Sequence, residues 1–176
     1  IRGAKGSSIE LTVKHQDSST EKITIVRDVI NMSNVRHFML EDEIAHIIVE
    51  SFADNTDEEF NKLLNELKKT RIKGIVLDLR YNPGGGVGTV VNMTSEFLNR
   101  SLVLYEIDGK GRRTEWNAKS GGVFPQLPLV VMVNEFSASG SEVLAGALQD
   151  HGRAKVVGTK TFGKGTVNNL HALRDG

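Results

Sequence analysis

The sequence contains no cysteine, which excludes disulfides, thiol nucleophiles and cysteine-held metal sites. It has no excess of either charge: 22 Lys and Arg face 22 Asp and Glu, and no run of like charge stands out. Neither nucleic acid nor an anionic membrane surface is therefore expected as the main partner. Long apolar runs are missing too. The longest, "IVL" and "LVVMV", are too short to span a membrane, and no signal peptide opens the chain. Neither absence assigns a compartment. The five histidines show no metal-ligand spacing, and neither metal nor cofactor is expected. There is no internal repeat and no low-complexity segment.

What is present suits a folded domain. The 176 residues, 39% of them hydrophobic, can bury one good core, or one domain with a fragment of another. The 18 glycines, roughly 10% against a usual ~7%, gather in a few loops. "IELTVKH" (9–15) alternates as a strand does, and after the polar turn "QDSSTE" comes a second strand, "KITIVRDVI" (22–30). "IAHIIVESF" (44–52) predicts a strand buried on both faces. A helix is expected over 57–69, with Thr56 and Glu59 as a capping box and Phe60, Leu63, Leu64 and Leu67 as its apolar stripe. Further strands are predicted at 74–80, 129–133 and 154–158, and helices at about 88–98 and 140–150, with "LVLYEI" and a polar hairpin-like stretch between. This alternation points to an α/β layer structure around a largely parallel sheet. Both ends read as cut.

Three loops follow buried strands, where α/β proteins place their sites. "RYNPGGG" offers unencumbered backbone N–H groups, either as a tight turn or as an anion or oxyanion pocket. Its glycines lack the spacing of a dinucleotide fold. In "NEFSASGSE", Ser139 and Glu142 fit a capping box. A nucleophile would favour the same place, because helix-terminal N–H groups can hold the oxyanion formed on attack. The stretch is not G-x-S-x-G, so a hydrolase-type nucleophile elbow is not supported. Ser137 and Ser141 read as ordinary polar residues.

Asp150 closes the third helix, where a carboxylate opposes the dipole; it reads either as a plain solvated Asp before the Gly152 stop or as the partner of Arg153 or Lys164. His151, adjacent to Asp150, points elsewhere and is a poor triad candidate. The third loop, "GTKTFGKG" (158–165), begins as a phosphate-binding loop would. Gly165 then stands where the magnesium-binding Ser or Thr is required, and "TVNNLHAL" (166–173) reads as a strand instead of a helix. A lysine acting as general base must drop from ~10.4 to about 7–8, which takes burial among apolar groups. Phe162 is the neighbour available for that at Lys164.

Together, "LDLRYNPGGG", "VNEFSASGSEVLAGALQDHGRAKVVGTKTFGKGTV" and the opening "IRGAKGSSIELTV" closely resemble the carboxyl-terminal processing (tail-specific) proteases, serine peptidases with a Ser/Lys pair. The resemblance implies Ser139 as nucleophile and Lys164 as base, with Asp150 in support. Gly140 and one of Gly84 or Gly85 would form the oxyanion hole. Asn168 stands where family members carry the glutamine that holds the lysine. The fold implied is α/β, a crotonase-like ββα core. Residues 1–17 would be the last strand of a PDZ domain and 18–176 an incomplete protease core. The expected substrate is a protein or peptide with an apolar C-terminus, met in the periplasm or cell envelope of a bacterium. Peripheral membrane association through segments outside this chain, and an oligomer, are compatible with it. Two other functions share such a fold: a non-catalytic ligand-binding module, and an acyl-CoA enzyme of the crotonase type. The joint presence of Ser139 and Lys164 counts against the first, and the second needs no such pair.

Overall fold

The computed structural model describes residues 1–29 and 33–168. It divides into two compact units, Ile1–Met32 and Ser33–Gly176. In the first, β1 (Ser8–Lys14) pairs antiparallel with β2 (Thr20–Val26), placing Ile9 opposite Ile25 and Leu11 opposite Ile23. The strands expected at 9–15 and 22–30 are both present, the second ending earlier. A domain boundary after residue 17 would separate two strands that bond to each other along their whole length, and the division falls at Met32/Ser33 instead.

The second unit is built on a five-stranded sheet in the order β3-β4-β5-β8-β9. These strands are β3 (Val35–Met39), β4 (Ile44–Val49), β5 (Gly74–Asp78), β8 (Leu129–Val133) and β9 (Lys155–Gly158). β3 is antiparallel and was not expected from the sequence, where "VRHFM" has no clean alternation. The other four run parallel. Helices α1 (Thr56–Lys68), α2 (Val87–Ser95) and α3 (Gly140–Asp150) make the crossovers, as parallel strands require. Between α2 and β8 stands an antiparallel hairpin of β6 (Leu102–Ile107) and β7 (Arg113–Asn117).

The core lies on one face of the sheet. Ala45, Ile47 and Val49 of β4, Ile75 and Leu77 of β5, and Val131 and Val133 of β8 pack with Phe60 and Leu64 of α1, Met93 of α2 and Leu144 and Leu148 of α3. The expectation of a β4 buried on both faces is corrected. Ile44, His46 and Ile48 are only half-buried, because the apolar stripes of the helices meet the opposite face. The capping box expected at α1 is corrected as well. Asn55 is the N-cap, in a left-handed conformation, and Thr56 sits inside the first turn with its hydroxyl unsatisfied. The Glu59 carboxylate instead accepts from Ser33 Oγ at 2.8 Å.

On the second face, His46 Nε2 lies 3.0 Å from Asp78 Oδ2, and the Arg80 guanidinium donates to the same carboxylate at 2.7 Å. Burial works to raise the Asp78 pKa. Hydrogen bonds from Arg80 and His46 and the Arg80 charge outweigh it and hold the carboxyl below its ordinary value. A depressed carboxyl contributes stability above its ordinary pKa and loses it as pH falls through the folded value. Asp78→Asn should thus flatten the decline in unfolding free energy below about pH 5, measured by urea titration at successive pH values.

Candidate active site

β5, β8 and β9 are adjacent and parallel, so the loops leaving their carboxyl ends emerge side by side. These are the three loops singled out by the sequence. Buried polar groups weld the first two together. Asn82, fully buried, donates from Nδ2 to the Val49 carbonyl at 2.9 Å and accepts the Gly84 amide on Oδ1 at 2.8 Å. Its own carbonyl accepts the Ala138 amide at 3.0 Å and Ser141 Oγ at 2.9 Å. Ser137 Oγ donates to the Leu79 carbonyl at 2.8 Å, and Asn134 Oδ1 accepts the Tyr81 amide at 3.0 Å. Ser137 and Ser141 are therefore buried staples between loops, which their position in a polar stretch did not reveal. Asn82 was also missed, although an Asn before Pro at a glycine turn is a signal for side-chain-to-backbone bonding.

Ser139 differs from both neighbours. It is partly exposed and is the N-cap residue of α3, where it forms the expected capping box with Glu142, whose carboxylate accepts the Ser139 amide at 2.8 Å. Its backbone is strained, at φ 53 and ψ −111, a region that costs on the order of 1–3 kcal/mol and persists only where surroundings enforce it. The strained strand-to-helix serine is thus present although the G-x-S-x-G motif is absent. The glycine turn enforces it from below. Gly84 has φ +100, and a Cβ there would stand 2.8 Å from Ser139 Cβ, the Gly140 nitrogen and the Ala138 oxygen. At Gly85 a Cβ would fall 2.2 Å from the Phe52 carbonyl oxygen. Only glycine permits this approach.

The amides sort the oxyanion candidates. The Gly84 amide is committed to Asn82. Among the described residues the amides of Gly140 and Gly85 have no acceptor, and both glycines line the same cavity as Ser139. That cavity, about 520 Å³, has Val87, Val90 and Leu104 on its walls and also reaches Lys164.

Lys164 is brought to the serine through its backbone. The Glu142 carboxylate, on the first turn of α3, accepts the Ser139 amide at 2.8 Å and the Lys164 amide at 2.9 Å on the same oxygen, Oε2. Its other oxygen accepts Thr161 Oγ1 at 2.8 Å and the Gly163 amide at 2.6 Å. Burial alone would raise the Glu142 pKa. The bonds from Thr161, Lys164, Gly163 and Ser139 prevail and hold it below the ordinary glutamate range. The clasp is consequently intact at neutral pH and is released only as acid protonates the carboxylate. The Lys164 side chain is exposed, and no hydrogen bond joins its Nζ to Ser139 Oγ among the described residues. Phe162, 69% exposed, does not bury it.

The remaining candidates lie apart. Asp150 is exposed at the end of α3 and carries no ion pair among the described residues. Arg153, one candidate for its partner, is drawn instead to the carbonyls of Phe97, Phe124 and Leu127, and Asp150 stands as the solvated residue the helix stop also allowed. Burial pushes its pKa down. His151 Nε2 lies 2.8 Å from the Leu102 carbonyl. Asn168 is exposed at the end of the described chain, and no strand forms over 166–168. The rest of the expected strand lies outside the described residues.

A family model described as peptidase family S41 matches residues 43–176. The chain belongs to this family. Relatives agree along its whole length. The carboxyl-terminal-processing protease of a Picosynechococcus species is 39% identical over 180 residues, covering 100% of this chain and 43% of that protein. The corresponding protease of Bartonella bacilliformis is 34% identical and covers 98% of this chain and 41% of its own length. Among solved structures, the photosystem II D1 C-terminal processing protease superposes with a TM-score of 0.73 at 29% identity, covering 98% of this chain and 49% of that one. The chain thus spans less than half the length of these relatives. For an S41 chain, the packing of Gly84 against Ser139 carries a direct consequence. Gly84→Ala should destabilise by roughly 1–3 kcal/mol, measured by denaturant titration.

Proposed function

We propose that this chain carries the Ser/Lys catalytic core of a serine endopeptidase that cuts protein substrates near their C-terminus. The observation that carries this reading is the shared Glu142 oxygen, which places the amides of a strained serine and of the loop lysine two hydrogen bonds apart. Membership of family S41 and the names of the relatives support it.

In the reaction proposed, a substrate tail enters the cavity as an extended segment. Neutral Lys164 takes the Ser139 hydroxyl proton as Oγ attacks the scissile carbonyl. The amides of Gly140 and Gly85 receive the oxyanion, since that of Gly84 is occupied. Collapse expels the amine, which leaves with the proton from Lys164, and the acyl-enzyme remains on Ser139. Water, deprotonated by Lys164, then releases the acid and restores the serine. Because the Lys164 side chain is exposed, its desolvation is assigned to the bound substrate, which closes the cavity over it.

The finer assignments follow the same resemblance. The core is read as crotonase-like, and the β1–β2 hairpin as the end of a PDZ domain that would capture an apolar C-terminus. Asp150 and Asn168 support the lysine, and the protein works outside the cytoplasm of a bacterium. Lys164→Met should lower cleavage of an unfolded protein with an apolar C-terminus about 10²–10⁴-fold, the usual contribution of a general base, with no change in melting temperature. Turnover of the Lys164→Met protein at the native rate, measured by gel densitometry, would overturn the assignment.

A further inference from the structure

We infer that Glu142 is a positioning residue of the peptidase reaction: its carboxylate holds the strained nucleophile and the lysine loop in register, and without it Ser139 is present but poorly reactive. The inference rests on the assignment of Ser139 and Lys164 as nucleophile and base.

The geometry carries it. A helix-capping glutamate needs one acceptor oxygen for the N-cap amide, and Glu142 does this with Oε2 toward Ser139. A cap alone leaves the rest of the carboxylate to water. Here three further donors converge on it, all from 161–164, a segment that begins only after β9 has crossed the sheet. Neither Lys164 nor Gly163 has another anchor to α3 among the described hydrogen bonds. The segment around them is irregular and held otherwise by the Phe162 amide, which donates to the Ser137 carbonyl at 3.1 Å, so the Glu142 bonds are what fix the backbone from which the lysine side chain leaves.

The clasp also bears on the strain at Ser139. Its positive φ points the Ser139 amide toward the first turn of α3, and the charge-assisted bond to Glu142 offsets the unfavourable backbone. The same charge favours the helix N-terminus. One side chain therefore fixes both partners of the proton transfer without touching the substrate. The alternative is a purely structural role, in which Glu142 only caps α3 and its loss lowers stability alone.

The test uses a fluorophosphonate probe, which reports the reactivity of Ser139 itself, on native protein and on Glu142→Ala, Glu142→Gln and Glu142→Asp. Glutamine retains one acceptor oxygen and can serve the donors of one side only. Glu142→Gln should lower the maximal labelling rate about 10–100-fold, the loss of one or two charge-assisted hydrogen bonds, with unchanged probe affinity before reaction. Glu142→Asp, which keeps the charge, should fall between native and Glu142→Gln. Glu142→Gln labelling within twofold of native, in a protein where Ser139→Ala removes the label, would overturn the inference and leave the peptidase assignment standing. Should native Ser139 itself take no label, that assignment falls, and amide hydrogen exchange decides the clasp separately. Faster exchange at Ser139, Gly163 and Lys164 in Glu142→Gln supports it, and unchanged exchange overturns it.

Discussion

Two backbone amides, those of Ser139 and Lys164, end on one carboxylate oxygen of Glu142. A carboxylate can accept several donors at once, and each bond to a charged acceptor is stronger than one between neutral groups. This makes Glu142 able to tie a helix terminus to a loop that follows a different strand. Three of the described hydrogen bonds that hold Thr161–Lys164 end on that carboxylate, and a fourth runs from the Phe162 amide to the Ser137 carbonyl, so the place of the segment beside α3 depends largely on Glu142.

Beneath the clasp, the glycine turn after β5 supplies space where the loop after β8 supplies strain. Gly84 and Gly85 bring backbone where any side chain would collide, and Asn82 locks the turn by satisfying donors and acceptors from three segments. A buried amide with all its partners made is rigid, because breaking any one bond would strand a polar group away from water. Committing the Gly84 amide to Asn82 leaves those of Gly85 and Gly140 facing the cavity. Substrate chemistry in such a site depends on this division between amides that hold the fold and amides that remain open.

The parallel sheet makes the arrangement compact. β5, β8 and β9 are neighbours, and each returns to the sheet through a helix on the same face, so three successive loops meet at one end. The other face carries His46, Asp78 and Arg80 as a satisfied ionic cluster among half-buried apolar residues. The candidate site therefore rests on one packed face, with its three loops at the edge.

Much of this was legible in the chain itself. Apolar runs and helical stripes located β4, α1, β5, β8 and α3, because period and length are local properties. The residue order around Ser139, Lys164 and the glycine turn indicated the family and the candidate chemistry. What the sequence could not show were features that depend on distant partners: the edge strand β3, the one-sided burial of β4, and Asn55 instead of Thr56–Glu59 at the head of α1. The sorting of three serines into two buried staples and one helix cap at the cavity belongs to the same class, as does the choice between Gly84 and Gly85. A motif names the residue types a reaction needs. Which amides and hydroxyls remain uncommitted is decided only when packing has assigned hydrogen-bond partners to all the others.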